Sequence, residues 1–302
     1  MGEQNDRTTV GEASPGDPSR REFVAQTAAV GIAARTGGAS AAAMKVVEKD
    51  VTIQTPDGSC DAAYFHPSSG THPAVLIWTD IFGLRPTFRE FGRRLAADGY
   101  AVLVPNPFYR TAKAPLFEPI SPSFSFSAPE TRAKFQQITG PINAPGAIEK
   151  DAQAHIGFLD AQPQVNKSRR VGTQGYCMGG PLVFRTAASM ADRVGAAATF
   201  HGGGLVTADA SSPHLLIPKM KARFYVAIAA NDDERQPDAK DKLRAAFEAA
   251  HVPAEVVVYT GMQHGWCVPD MPNQPNGQPI YNKPEAERAW SKLLSLYRTA
   301  LT

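Results

Sequence analysis

The chain has 302 residues, 43% of them apolar and 20% charged, so it can bury one large core or two small ones. Its 31 basic and 29 acidic residues leave a net charge of +2 with no basic block, which argues against a nucleic-acid or polyanion binder. Cys60, Cys177 and Cys267 are an odd number without C-x-x-C spacing, which speaks against a disulfide framework and a structural zinc site and leaves at least one thiol free.

Residues 1–18 are polar and rich in Gly, Pro, Asp and Ser. Ser19-Arg20-Arg21-Glu22-Phe23-Val24 and a weakly apolar stretch to Ala34 follow. This leader resembles a twin-arginine export signal, with small residues at Ala39-Ser40-Ala41 and Ala41-Ala42-Ala43 suited to cleavage. Its apolar part is too short to span a bilayer as a helix. The expectation is export to the periplasm or beyond, the alternative being an Ala-rich leader on a cytoplasmic protein. Residues 1–43 are set apart from the fold, which occupies 44–302.

From Met44 the pattern alternates. Val46 to Thr55 and Cys60 to His66, separated by Pro56-Asp57-Gly58, predict an edge hairpin. Pro73 to Thr79 is an apolar run typical of a strand covered on both faces. Pro86 opens a helix to about Asp98, stopped by Gly99, before a strand at Tyr100 to Val104. Residues 111–146 interrupt the alternation with many prolines and phenylalanines, too apolar for a solvated linker and too broken for a long helix. Following a strand, they read as a partial lid over the site or as an excursion packed on the domain surface. A helix over Ala147 to Leu159, strands at Val194 to Phe200, Ala222 to Ala229 and Ala254 to Thr260, and helices at Asp238 to Ala250 and Pro284 to Leu301 complete the pattern. Such alternation predicts a mostly parallel sheet with helices on both faces and a ligand site beyond the carboxyl ends of the strands.

At the centre lies Val171 to Pro181, an apolar approach running into Gly175-Tyr-Cys-Met-Gly179 and then a helical pattern. This is the pattern of a nucleophile elbow. Its central residue is strained, and glycines two positions to either side avoid the neighbouring strand and helix. Cys177 at the start of a helix would be favoured as a thiolate by the helix dipole. A cysteine nucleophile needs a base and an acid, arriving on such a sheet in the order nucleophile, acid, histidine. That order leaves His264, in a loop after a strand. It also calls for an acid after the strand ending at Ala229, where Asp232 is the first carboxylate and Asp233 its rival. His201-Gly-Gly-Gly204 imitates an oxyanion loop but comes after the nucleophile, so His201 reads as a structural residue near the site. A metal site from His264, Cys267 and His201 lacks the spacing of known sites.

Gly175-Tyr-Cys-Met-Gly-Gly180, Asp80-Ile-Phe-Gly83, Leu103-Val-Pro-Asn-Pro-Phe-Tyr-Arg110 and Gly261-Met-Gln-His-Gly265 resemble the dienelactone hydrolase family of the α/β-hydrolase fold, over about residue 46 to the C-terminus. The resemblance implies a Cys177–Asp232–His264 triad acting on a small ester, lactone or thioester, without a metal or organic cofactor. It also implies an oxyanion hole from the Ile81 and Met178 amides. Asp80 stands where the family has a thiol-activating glutamate. Arg110 matches one of the two arginines that hold a substrate carboxylate, whereas Val268 occupies the place of the second, so dienelactone itself is disfavoured. Arg85 is a candidate substitute. A binding or thiol-redox protein, with Cys177 oxidised reversibly, is the alternative from another class.

Overall fold

A computed structural model describes residues 44–117, 120 and 124–301. The expected leader, residues 1–43, lies outside them, as do residues 118, 119 and 121–123 of the interrupting segment. The described chain runs β1 (Val46–Thr55), β2 (Gly58–Pro67), β3 (Ala74–Trp78), α1 (Pro86–Ala97), β4 (Ala101–Pro105), α2 (Pro129–Ile142), α3 (Ala147–Ala161), β5 (Val171–Tyr176) and α4 (Gly179–Ser189). It continues with β6 (Val194–Phe200), β7 (Arg223–Ala229), α5 (Ala230–Arg235), α6 (Ala239–Ala249), β8 (Ala254–Tyr259) and α7 (Lys283–Ala300).

The strands form one sheet in the order β1-β2-β4-β3-β5-β6-β7-β8. β1, β2 and β4 pair antiparallel, and every pairing from β4 through β3 to β8 is parallel. β3, β4, β5 and β6 are buried along their whole length, because helices cover both faces. One face packs Ile156, Val183, Phe184, Leu243 and Phe247 from α3, α4 and α6. The other packs Phe88, Phe91 and Leu95 of α1 with Trp290, Leu293 and Tyr297 of α7. Among the described residues no helix is long and apolar enough to cross a membrane.

The interrupting segment departs from expectation, since α2 is a helix of 14 residues. Pro129 occupies the first turn, where its missing N–H breaks no bond, and Pro141 falls in the last turn, so the residues between them are free to be helical. The phenylalanines around it converge on the buried Phe82. The rings of Phe117, Phe124, Phe126 and Phe135 all lie 5.1 to 6.2 Å from its centroid. Edge-to-face packing of this kind adds to the burial of the rings.

The turn after β5 depends on two glycines. A Cβ on Gly175 would stand 2.3 Å from the Gly179 carbonyl oxygen, and one on Gly179 would stand 2.7 Å from that of Trp78. Backbone cannot retreat as a side chain can. Gly175→Ala and Gly179→Ala are each expected to destabilise the fold by about 1–3 kcal/mol or more in urea denaturation. Gly157→Ala on α3, with nothing within 4 Å of the new methyl group, should be neutral or stabilising by about 0.5–1 kcal/mol.

Candidate functional site

The carboxyl ends of β5, β6, β7 and β8 bring a thiol, two imidazoles and a carboxylate together. After β5, Cys177 takes φ +51°, a left-handed value unusual for a side-chain-bearing residue. The turn is fixed by its N–H donating to Phe200 O at 3.1 Å and by Gly180 N–H donating to Cys177 O at 3.1 Å. α4 starts two residues later, so the thiol is only half-buried and stands before the positive end of a helix.

His264 follows β8. Its backbone N–H donates to Asn231 Oδ1 at 2.8 Å, and its Nδ1 lies 2.7 Å from Asp232 Oδ2. Asp232 sits on α5, immediately after β7, while the neighbouring Asp233 turns away to accept from Lys240 Nζ at 2.8 and 3.0 Å. Cys177 Sγ, a ring nitrogen of His264 and a ring nitrogen of His201 lie within 4.8 Å of one another. Burial by itself would depress the His264 pKa, but the adjoining Cys177 sulfur and Asp232 carboxylate outweigh it and hold the imidazolium up to about 10. His201 moves the opposite way, because burial and the charge of His264 push its pKa well below the ordinary value and keep the ring neutral.

Ile81 N–H and Met178 N–H have no acceptor among the described residues. Ile81 follows β3, in the wall of the same cavity as Cys177. Asp80, the expected thiol activator, is engaged by other partners in this structure. Its fully buried carboxylate accepts from Arg85 Nη1 at 2.7 Å, Arg85 Nη2 at 2.9 Å and Phe82 N–H at 2.9 Å, and no hydrogen bond joins it to Cys177 among the described residues. Arg85 turns inward but is taken, since its Nε and Nη2 also donate to Asp270 at 2.8 Å each. Burial opposes this charge, yet the two carboxylates hold the guanidinium pKa above its ordinary value.

Arg110, expected to hold a substrate carboxylate, is engaged elsewhere as well. It does not line the cavity, and its guanidinium donates to Asp151 and to Asp57 at 2.8 Å each. Val268 is fully buried in the core. Cys267 is buried too, and burial pushes its thiol pKa well above the ordinary range.

The cavity over Cys177 and His264 measures about 1180 Å³. Ile81, Phe124, Phe126, Met271 and Ile280 supply much of its apolar wall, so part of the interrupting segment does reach the site. The charged side chains lining it are Asp270, 37% exposed, and Arg235, whose 70% exposed side chain lies 3.5 Å from Asp232. The motif-based reading did not single out Asn231, which holds the His264 backbone, or Asp270, which holds Arg85. Neither has a local sequence signal, because each acts through a partner distant in the chain.

The sequence model of the dienelactone hydrolase family matches residues 60–301. A Synechocystis protein provisionally named a carboxymethylenebutenolidase is 26% identical over 235 residues, covering 77% of this chain and 88% of its own length. The carboxymethylenebutenolidase of Pseudomonas putida is 29% identical over 161 residues, 53% of this chain and 63% of that protein. The crystal structure of a provisionally assigned dienelactone hydrolase from Klebsiella pneumoniae superposes with a TM-score of 0.68 at 21% identity, over 84% of this chain and 99% of that one. The sheet order, crossovers and helix layers are those of the α/β-hydrolase fold.

The contacts of His264 give a titration with a defined sign. A folded-state pKa of about 10 against an ordinary 6.5 means that the pairing stabilises the fold fully below pH 6.5 and loses its contribution as pH rises through about 10. In the NMR spectrum of the parent, the His264 ring is expected to titrate near the upper value. In Cys177→Ala it should titrate lower, since the largest upward influence has been removed.

Proposed function

The chain belongs to the dienelactone hydrolase family, and from that premise we propose that it cleaves uncharged esters or lactones through an acyl-enzyme on Cys177. It is a hydrolase of ester bonds. The reading is carried by the contact of His264 Nδ1 with Asp232 at 2.7 Å while a ring nitrogen of His264 and Cys177 Sγ lie within 4.8 Å. In the proposed cycle the Cys177 thiolate attacks the carbonyl carbon, and the oxyanion accepts from the Ile81 and Met178 N–H groups. Each such donor is worth about 3 kcal/mol. Collapse breaks the ester C–O bond, His264 gives its proton to the leaving alkoxide, and a thioester remains. Water then attacks the thioester as His264 takes its proton. The thiolate leaves, and the acid product departs. Asp232 fixes the ring so that its other nitrogen does this work, and it stabilises the imidazolium.

The preference for uncharged substrates follows from the wall of the cavity. Arg110 and Arg85 are committed to carboxylates, Val268 is apolar and buried, Asp270 is paired with Arg85, and Arg235, the arginine in the wall, stands beside Asp232 at 3.5 Å. A substrate carboxylate thus forgoes the two-arginine clamp, each pairing of which is worth about 1.5–3 kcal/mol, and meets only Arg235, which the Asp232 carboxylate already partly neutralises. The thiol-redox alternative has nothing comparable in support, because Cys60 and Cys267 are buried and burial raises both thiol pKa values.

A pair of 4-nitrophenyl esters of equal chain length, one ending in methyl and one in carboxylate, tests both statements. The parent should turn over the methyl-ended ester with kcat/KM roughly tenfold or more above its anionic counterpart. Cys177→Ala should lose at least about a thousandfold on both. Retained activity in Cys177→Ala would remove the nucleophile assignment, and preference for the anion would remove the substrate assignment.

A further inference from the structure

His201 has no part in the cycle above, yet it is held in the site at some cost. It follows β6 directly and takes φ +43°, a left-handed value disfavoured for histidine, with its backbone N–H donating to Ala227 O at 2.8 Å. The ring is 0% exposed, and neither nitrogen has a hydrogen-bond partner among the described residues. A buried polar atom left unpaired costs about 1–3 kcal/mol. The ring stands edge-on to His264, with centroids 4.6 Å apart at 64°, and edge-on to Trp266 at 5.4 Å. What sets this buried, unpaired imidazole apart from the equally buried and unpaired His155 is its place, with a ring nitrogen within 4.8 Å of the thiol and of the second imidazole.

The donors present there define the ligand. One thiol sulfur and two imidazole nitrogens lie within 4.8 Å of one another. Around a four-coordinate zinc ion, with bonds of about 2.0–2.1 Å to nitrogen and about 2.3 Å to sulfur, such donors stand roughly 3.3–3.6 Å apart. The three side chains need close by little more than about 1 Å, which is within the reach of small χ rotations. Sulfur with two imidazoles suits zinc and its neighbours in the first transition row and is a poor set for magnesium or calcium, which take oxygen. Asp232 on His264 Nδ1 completes a carboxylate–histidine–metal arrangement of the kind that orients metal-binding imidazoles, leaving Nε2 as the donor atom. Cys177 and His264 both line the cavity, so a fourth coordination position would open onto it.

We propose that Cys177, His201 and His264 form a site for a zinc-type divalent cation with three protein ligands and one open position, and that occupancy withdraws the thiol from covalent chemistry. The coordination stands on the three side chains alone. Only the loss of turnover on loading rests on the hydrolase reading above.

The test is optical and needs no substrate. Metal-free full-length chain is titrated with Co²⁺, and one equivalent is expected to bring up a thiolate-to-cobalt charge-transfer band that Zn²⁺ then displaces. The band should be absent in Cys177→Ala. His201→Asn, which tolerates a positive φ, and His201→Phe, which keeps the ring shape, should each weaken Co²⁺ binding by at least an order of magnitude. In parallel, Zn²⁺ should protect Cys177 of the parent from alkylation. No charge-transfer band in the parent, or undiminished affinity in either His201 variant with intact cooperative unfolding, would overturn the proposal. Should the band and its dependence on His201 appear while ester hydrolysis is absent even in metal-free protein, the metal site stands and the hydrolase reading falls.

Discussion

The turn that carries Cys177 is the constraint on which the site depends. A parallel strand ending at Tyr176 has to reverse into α4 within two residues, and the chain does so only by holding Cys177 at φ +51° and bringing Gly175 and Gly179 within contact of backbone oxygens. Side chains larger than hydrogen at those two positions would force β5 and α4 apart. Neighbouring strands supply the rest of the geometry. Phe200 at the end of β6 accepts from Cys177 N–H, Asp232 begins where β7 ends, and His264 begins where β8 ends. Parallel strands share a direction, so their loops meet at one edge of the sheet, and a strained turn pushes one side chain up among them.

A second device fixes the loops around that side chain. Arg85 lies between Asp80 and Asp270, 185 residues away in the chain from the latter, and joins the loop after β3 to the loop after His264. Its guanidinium plane also stacks within 4.9 Å of the Phe88 centroid and 5.3 Å of that of Phe82. Phe82 in turn gathers the phenylalanines of the segment leading into α2. The cavity wall, the position of Ile81 and the route of the interrupting segment therefore hang on one buried ion cluster and one aromatic cluster. Replacing a single partner would leave a buried charge without compensation, the costly case for such clusters.

The fold was legible in the sequence because local patterns and tertiary demands agree there. Apolar runs such as Ala74–Trp78 became strands buried on both faces, and the glycine spacing around Cys177 is explained by the backbone it must approach. What was not legible involves partners far apart in the chain. Nothing local distinguishes Asp232 from Asp233, and the choice between them is made by Lys240 drawing Asp233 aside. Asp80 and Arg110 sit at motif positions that suggest chemistry, yet Arg85, Asp57 and Asp151 claim their charged atoms. His201, read as a structural residue at a strand end near the site, does follow β6 directly and lie beside His264, but no motif announces the positive φ that sets its ring there. α2 was hidden by its prolines, of which Pro129 falls in the first turn, where the missing N–H breaks no bond, and Pro141 in the last, where only the end of the helix loses one.

The measurement that bears most directly on the account is the mass of the chain during turnover. His264→Gln should take up an acyl group from an activated neutral ester and release it slowly. Tryptic digestion should then localise the added mass to residues 171–185, on Cys177. One acyl group per chain is expected at that peptide and none in a Cys177→Ala background. Acyl transfer to another residue, or multiple turnovers with Cys177 unmodified and open to alkylation throughout, would contradict it.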